Sequence, residues 1–151
     1  MHYDLNMDPG TWRQVTGRRA LKENLMKLRI AGNSLRLRVS RSDLARLMQC
    51  GRIEEIVYFA TEAGAQLSYA LEQSEANAEL SVVYRPQAVT VLLPGSAARE
   101  WAEGDKVGIY GDVDTGISRL AVIVEKDFAC LDRSERDNVD AFPNPHKGTV
   151  C

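Results

Sequence analysis

The chain has 151 residues, of which 44% are hydrophobic and 26% charged, and a formal net charge of −2 at neutral pH. This length and composition predict one globular domain, and the interleaved acidic and basic residues argue against a nucleic-acid-binding face built on bulk positive charge. No run of about 18 apolar residues predicts a membrane span, and the polar N-terminal stretch lacks the apolar core of a secretory signal. With three cysteines and no export signal, the expected location is the cytoplasm, and no nucleic-acid or membrane partner is expected.

The N-terminal stretch differs from the rest of the chain. Residues 1–25 are polar and lack strand alternation, whereas Met26 begins the alternating run MKLRIAGNSLRLRV. Lys22-Glu23 can be encoded as AAG-GAG, a bacterial ribosome-binding sequence, just upstream of the Met26 codon. We therefore treat residues 1–25 as a polar extension, which is either translated leader or a genuine N-terminal arm. Residues 26–151 are expected to form a single α+β domain that includes a C-terminal tail over 129–151.

The first half of this domain is predicted to form a hairpin, a helix and two further strands. KLRI (27–30) and LRLRV (35–39) flank the turn pair Gly32-Asn33, which indicates a β-hairpin. Ser40 or Ser42 is expected to cap the following helix, and Gly51 is expected to end it in a left-handed conformation. RIEEIVYFA and AQLSYALEQ follow as two further strand-like runs.

The second half repeats this order. ELSVVYRPQAVTVLLP predicts two strands, PGSAAREWAEGD a short helix capped by Ser96 and anchored by Trp101, and KVGIYG and RLAVIVEKDF two more strands. LAVIV (120–124) is apolar on both faces, which is typical of a central strand. The expected fold is α+β: a curved, mostly antiparallel sheet or barrel of about eight strands from two ββαββ units, with two short helices and an extended C-terminal tail.

Several of these segments resemble a known family. MKLRIAGNSLRLRVSRSDLARL, LSYALE and especially LAVIVEKDFACLDR…DAFPNP look like a family of small bacterial proteins known only as a domain of unknown function. The resemblance covers residues 26–145 and implies a bacterial cytoplasmic protein, but it brings no established activity, substrate or catalytic residue. A more distant similarity is to the triphosphate-tunnel enzymes, which are eight-stranded barrels whose first strand holds a metal with alternating glutamates. This chain has KLRIAG there, which departs from that pattern.

Basic residues on the first hairpin form one candidate site. Arg36 and Arg38 are two apart and project to the same face of a strand, and Arg29 lies on the partner strand. Guanidinium groups bind phosphate or carboxylate through paired hydrogen bonds, and Glu125 and Lys126 at the end of the last strand would complete an anion site inside a barrel. In the alternative, the apolar residues of the strand face the core and the arginines face water, while the acidic and basic residues near 125 pin the tail by local ion pairs.

A second candidate is a zinc site in the C-terminal tail. Cys130, His146 and Cys151 supply thiolates and an imidazole, which are good zinc ligands, but their spacing matches no standard zinc ribbon or finger. A carboxylate such as Asp132 or Asp127 would have to complete the site. In the alternatives, Cys130 is a small buried residue or forms a disulfide with Cys151.

These observations leave three functions open. No P-loop, G-x-G-x-x-G or G-x-S-x-G motif occurs, so no enzyme class is indicated and a non-enzyme is favoured. The hypotheses are a non-catalytic small-ligand-binding or protein-interaction module, an anion- or phosphate-binding barrel with phosphohydrolase activity, and a zinc-binding protein. No cofactor other than zinc is indicated. The expected partners are a small ligand, a protein or a second copy of the chain, because the proline-stiffened FPNP tail could dock on its own sheet or on a homodimer partner.

Overall fold

The computed structural model describes residues 25–128 and 140–143. In these residues the chain forms eight strands and two helices, which confirms the predicted α+β class. In chain order the elements are β1 (Lys27–Ile30), β2 (Ser34–Val39), α1 (Arg41–Cys50), β3 (Arg52–Tyr58), β4 (Gln66–Ser74), β5 (Ser81–Arg85), β6 (Ala88–Pro94), α2 (Gly95–Glu103), β7 (Gly108–Asp114) and β8 (Arg119–Lys126).

The strands form two separate four-stranded sheets. The first sheet has the order β1-β2-β8-β7 and the second has the order β3-β4-β6-β5. In each sheet two antiparallel hairpins are joined by a parallel pair at the centre, β2 with β8 and β4 with β6. The described strands therefore form two mixed sheets and no closed barrel, so both the predicted barrel and its alternative, a single sheet of about eight strands, are wrong.

The physical reason for this correction is that alternation shows only which residues share a face of a strand. It does not show which other strand will pair with it, and the two central pairs join strands that are not consecutive in the chain. Each sheet takes one hairpin from either half of the domain. Neither half forms a sheet alone, and the ββαββ unit stays a prediction. β8 has a partner on each side, as predicted for LAVIV.

Local capping explains where α1 begins and ends. The Ser40 hydroxyl accepts a hydrogen bond from the Asp43 backbone N–H at 3.1 Å, which satisfies one of the free donors of the first turn. Gly51 ends the helix with a φ of 78°, a conformation that glycine adopts without strain. Both features were predicted. The expected Ser96 cap of α2 is wrong, because β6 runs directly into the helix and Pro94 occupies the cap position without a side-chain hydrogen bond.

One hydrophobic cluster joins both sheets and both helices. Trp101 of α2 is fully buried within it, as predicted, and Leu37, Leu71 and Val124 are 0–1% exposed. Because Leu37 and Val39 belong to this cluster and Leu35 is buried on the same side of β2, the alternate residues of the strand face away from it. Within the described residues, neither helix has the length and apolar character needed to cross a lipid bilayer.

Residues 140–143 lie against the start of α1 and the end of β8. The Asp140 carbonyl accepts from the Arg41 N–H at 3.1 Å, and its carboxylate accepts from the Ser42 N–H and hydroxyl. The Phe142 N–H donates to the Asp127 carbonyl at 2.8 Å. An acidic side chain at a helix N-terminus is favourable because it satisfies free N–H groups and complements the helix dipole. This segment therefore docks on its own chain.

Candidate functional site

The first region of interest is the outer face of the first sheet, defined as the side that carries Lys27, Arg29, Arg36, Arg38, Tyr110 and Glu125. These residues share a face because their positions on β1, β2, β7 and β8 are in register. The side chains of Arg36 and Arg38 are 31% and 38% exposed, so they face away from the core. Four of the five predicted anion ligands, namely the three arginines and Glu125, therefore lie on one open face and not inside a barrel.

Glu125 lies at the centre of the outer face. Its carboxylate is 3.8 Å from the Nε atoms of both Arg36 and Arg38, and the Tyr110 hydroxyl donates to it at 3.5 Å. Partial burial and the nearby Glu125 carboxylate raise the pKa of Tyr110 above its ordinary value, and Arg36 opposes this effect. Glu125 is thus shared between two guanidinium groups and a neutral phenol.

The absence of a side chain at Gly108 leaves room for the contact between Tyr110 and Glu125. It is the cross-strand partner of Glu125, and a Cβ atom at this position would lie 3.0 Å from the Tyr110 hydroxyl oxygen and 3.1 Å from Glu125 Cγ. It would also lie 2.4 Å from the Val124 carbonyl oxygen. Sequence reasoning treated this glycine only as part of a strand, because a close approach between two strands leaves no local pattern.

The basic residues on the edge strand β1 differ in whether an acidic side chain pairs with them. The Lys27 ammonium contacts the Asp127 carboxylate at 2.8 Å. Arg29 lies directly opposite Arg36 on the neighbouring strand, and within the described part of the chain no carboxylate lies within ion-pair distance of it. A depression of about 160 Å³ lies between these two arginines.

Lys126 is not part of the outer face. It projects to the opposite side of β8, is 8% exposed, and donates from its ammonium group to the Gly104 carbonyl at 2.9 Å. The ammonium also lies 5.4 Å from the centre of the Phe142 ring. The structure therefore separates Lys126 from the arginines with which the sequence grouped it, because consecutive residues of a strand point to opposite faces.

The second region of interest is a cavity of about 460 Å³ beside Phe142, here called the Phe142 cavity. Its walls come from the end of α2, the loop after it, the end of β8 and the docked tail, and they include Asp105, Val107, Lys126, Phe128, Phe142 and Pro143. The rings of Phe128 and Phe142 pack edge to face with centroids 5.9 Å apart. A smaller hollow of about 220 Å³ lies against α1 on Phe142 and Ala102. Sequence reasoning identified Phe142 as an anchor but missed this cavity.

A third feature, also missed from the sequence, is a buried acidic group in α1. Asp43 is fully buried, its Oδ1 accepts from Arg46, and its Oδ2 has no hydrogen-bond partner. Nearby, the Tyr69 hydroxyl donates to the Met26 carbonyl at 2.9 Å. Burial raises the pKa of Tyr69, and the Glu55 and Asp43 carboxylates raise it further. The only sequence signal for this site was the spacing of Asp43 from the Ser40 cap.

The predicted zinc ligands fall in the part of the chain that is not described. Cys130, His146 and Cys151 lie outside residues 25–128 and 140–143, and so does Asp132. Asp127 is described and contacts Lys27. Within the described residues, no group of three or more His, Cys, Asp or Glu side chains is arranged to hold a metal ion.

Comparison with known proteins identifies the family. No curated protein and no solved structure matches the chain. One family model, described as a family of unknown function (DUF7009), matches residues 26–146. This range agrees with the resemblance seen in the sequence over residues 26–145. Because the match covers most of the chain, the protein belongs to the DUF7009 family.

Proposed function

We propose that this protein is a non-catalytic binding module for a small organic anion, and that the ligand occupies the Phe142 cavity. The observation that carries the proposal is the ammonium group of Lys126, a residue only 8% exposed, on the wall of an aromatic-lined cavity. This proposal develops the ligand-binding hypothesis and gives Lys126 a role separate from that of the arginines.

The positive charge of Lys126 lies in a largely buried residue and has few polar partners among the described residues. Removing an ammonium group from water costs several kcal/mol unless other groups replace its hydration. The Gly104 carbonyl at the end of α2 and the Phe142 ring supply part of this compensation. Among the described residues no carboxylate lies within ion-pair distance of the Lys126 ammonium, which has three donor hydrogens. An anionic head group would complete its coordination.

The size and lining of the cavity indicate the size and chemical character of the rest of the ligand. Its volume of about 460 Å³ is in the range of cavities that hold small organic molecules. Val107, Phe128, Phe142 and Pro143 offer apolar and aromatic surface for the body of the ligand. The exposed Asp105 carboxylate at the same cavity disfavours a second negative charge. The ligand class that fits best is a monocarboxylate with an apolar or aromatic body.

The test is a titration of the full chain with benzoate and phenylacetate, followed by NMR. The indole N–H of Trp101 is a suitable reporter, because it donates to the carbonyl of the cavity residue Val107 at 3.2 Å. We expect saturable binding of at least one carboxylate and binding of the matched amides that is weaker by about tenfold, the loss expected for a charge-assisted hydrogen bond. Lys126→Met should abolish the preference for the carboxylate.

Two variants control this experiment. Lys106→Met removes an ammonium group that is exposed and pairs with Glu100 at 2.7 Å, so carboxylate binding should persist. Lys126→Arg keeps the positive charge and should retain part of the preference, which separates lost recognition from lost folding. The proposal fails if no carboxylate binds at about 1 mM, a concentration that detects even weak affinity, or if acid and amide bind equally well.

The zinc hypothesis is kept as a separate proposal that rests on the sequence alone. It concerns Cys130, His146 and Cys151, with thiolate and imidazole as ligands. Metal analysis of the full chain, purified without a histidine tag, decides it. One equivalent of zinc that is lost in Cys130→Ser would support the site, and a content far below one equivalent would remove it.

A further inference from the structure

The outer face of the first sheet places like charges directly opposite one another. In the antiparallel register of β1 and β2, Arg29 is the partner of Arg36, and Lys27 is the partner of Arg38. Side chains at directly opposed positions are close, and like charges there destabilise the pair. These four cations lie together on β1 and β2, although the net charge of the whole chain is −2.

Two carboxylates form ion pairs with three of these four cations. Asp127 contacts Lys27, and Glu125 is shared between Arg36 and Arg38. Both Glu125 contacts are 3.8 Å long, which is beyond hydrogen-bond distance and leaves the guanidinium forks available. Arg29 has no acidic contact among the described residues. Among these four cations the one without an ion pair to a described residue is therefore Arg29, and Asp112 and Asp114 lie further along the same face on β7.

Arg29 and Arg36 also border a concave surface. The depression of about 160 Å³ is bounded by the two opposed side chains, Arg29 and Arg36, with Ile123 and Ser34 also lining it. Guanidinium groups bind the oxygens of a phosphate group with two parallel hydrogen bonds each, and they do so on exposed surfaces. A tetrahedral oxyanion between the two arginines would relieve their repulsion and occupy this depression.

From this geometry we infer that the outer face carries a second binding site, between Arg29 and Arg36, for a small phosphate-class anion. The site is independent of the Phe142 cavity, because the two lie on opposite faces of β8. It requires neither a closed barrel nor Lys126. Glu125 acts as an internal competitor, because its carboxylate contacts Arg36 and Arg38 when the anion is absent.

The test is isothermal titration of the full chain with pyrophosphate at constant ionic strength. Arg29→Gln and Arg36→Gln should each weaken binding by about tenfold, the effect of one charge-assisted contact. Arg119→Gln is the matched control, since Arg119 is exposed on the same face of β8 but opposite Asp114, away from the depression. It should change the affinity by less than about twofold, as expected for a screened distant charge. Glu125→Gln should tighten binding by about threefold, the scale of one weak ion pair.

Parallel titrations with ADP and with a single-stranded oligonucleotide identify the source of the phosphate group. Affinity for ADP equal to that for pyrophosphate indicates a site that contacts only the phosphates, and tighter binding of ADP indicates a nucleotide. The inference is overturned if pyrophosphate shows no saturable binding at about 1 mM or if Arg119→Gln weakens binding as much as Arg29→Gln. It is also overturned if the oligonucleotide binds more tightly than both small anions.

Discussion

Replacement of Gly108 by alanine should destabilise the first sheet, whereas the same change at Gly111 on the same strand should not. A Cβ atom at Gly108 would lie 2.4 Å from the Val124 carbonyl oxygen, and Cβ atoms essentially never approach another heavy atom within 3.0 Å. β7 would have to move away from β8 by more than half an ångström. At Gly111 the nearest atom is Leu80 Cδ2 at 3.5 Å, which is ordinary van der Waals contact.

The expected change in the free energy of unfolding differs between the two variants for this steric reason. Overpacking that displaces backbone costs about 1–3 kcal/mol, so Gly108→Ala should lower the free energy of unfolding by that amount. Gly111→Ala should change it by less than about 1 kcal/mol and can raise it, because alanine reduces the entropy of the unfolded chain. Urea unfolding of both variants at neutral pH, followed by circular dichroism, measures the two values. Equal stability of the two variants would refute the steric argument.

The same substitution has a second readout on the outer face. Displacement of β7 should separate the Tyr110 hydroxyl from Glu125, which lies 3.5 Å away in the native protein. The pKa of Tyr110, raised by burial and by Glu125, should then fall towards its ordinary value in Gly108→Ala and stay raised in Gly111→Ala. Titration of the tyrosine ring resonances by NMR measures this pKa. An unchanged Tyr110 pKa in Gly108→Ala would show that the strand accommodates the methyl group without moving.

Three further predictions concern the helix cap, the core and the alkaline limit of stability. Ser40→Ala removes the hydroxyl that accepts from the first turn of α1, and urea unfolding should show a loss of about 1 kcal/mol. Leu71→Ala, at a site that is 0% exposed, should cost about 2–5 kcal/mol, while Ile56→Ala on the adjacent strand, at a site 42% exposed, should cost much less. The pKa of Tyr69 is raised in the folded state, so its contribution to stability is present below its unfolded pKa near 10.0 and is lost as pH rises through the folded value. Tyr69→Phe should therefore make the free energy of unfolding less dependent on pH above about 10, and an identical pH profile would contradict this.

The candidate sites show which inferences a single strand permits. The alternation of Arg36 and Arg38 with Leu35, Leu37 and Val39 established that the arginines share a face, and both orientations of that face were considered. The choice between them required the core, in which the apolar face of β2 packs with Leu71 and Trp101. Lys126 was grouped with the arginines from its position in the chain. Its burial next to Phe142 depends on how the tail docks, for which FPNP indicated an extended path but not a location.

By itself, the sequence determined the α+β class, the strands with their polar and apolar faces, the capped helix α1 and the central position of LAVIV. These features depend on side-chain periodicity and on turn and cap residues, which act over a few residues of chain. Only the tertiary structure decided that the hairpins join through the parallel pairs β2–β8 and β4–β6 into two sheets. It also decided that the arginines lie on an open face and that Lys126 lines a cavity. Pairing between distant strands is set by competition among all apolar faces for burial, and no local pattern encodes the outcome of that competition.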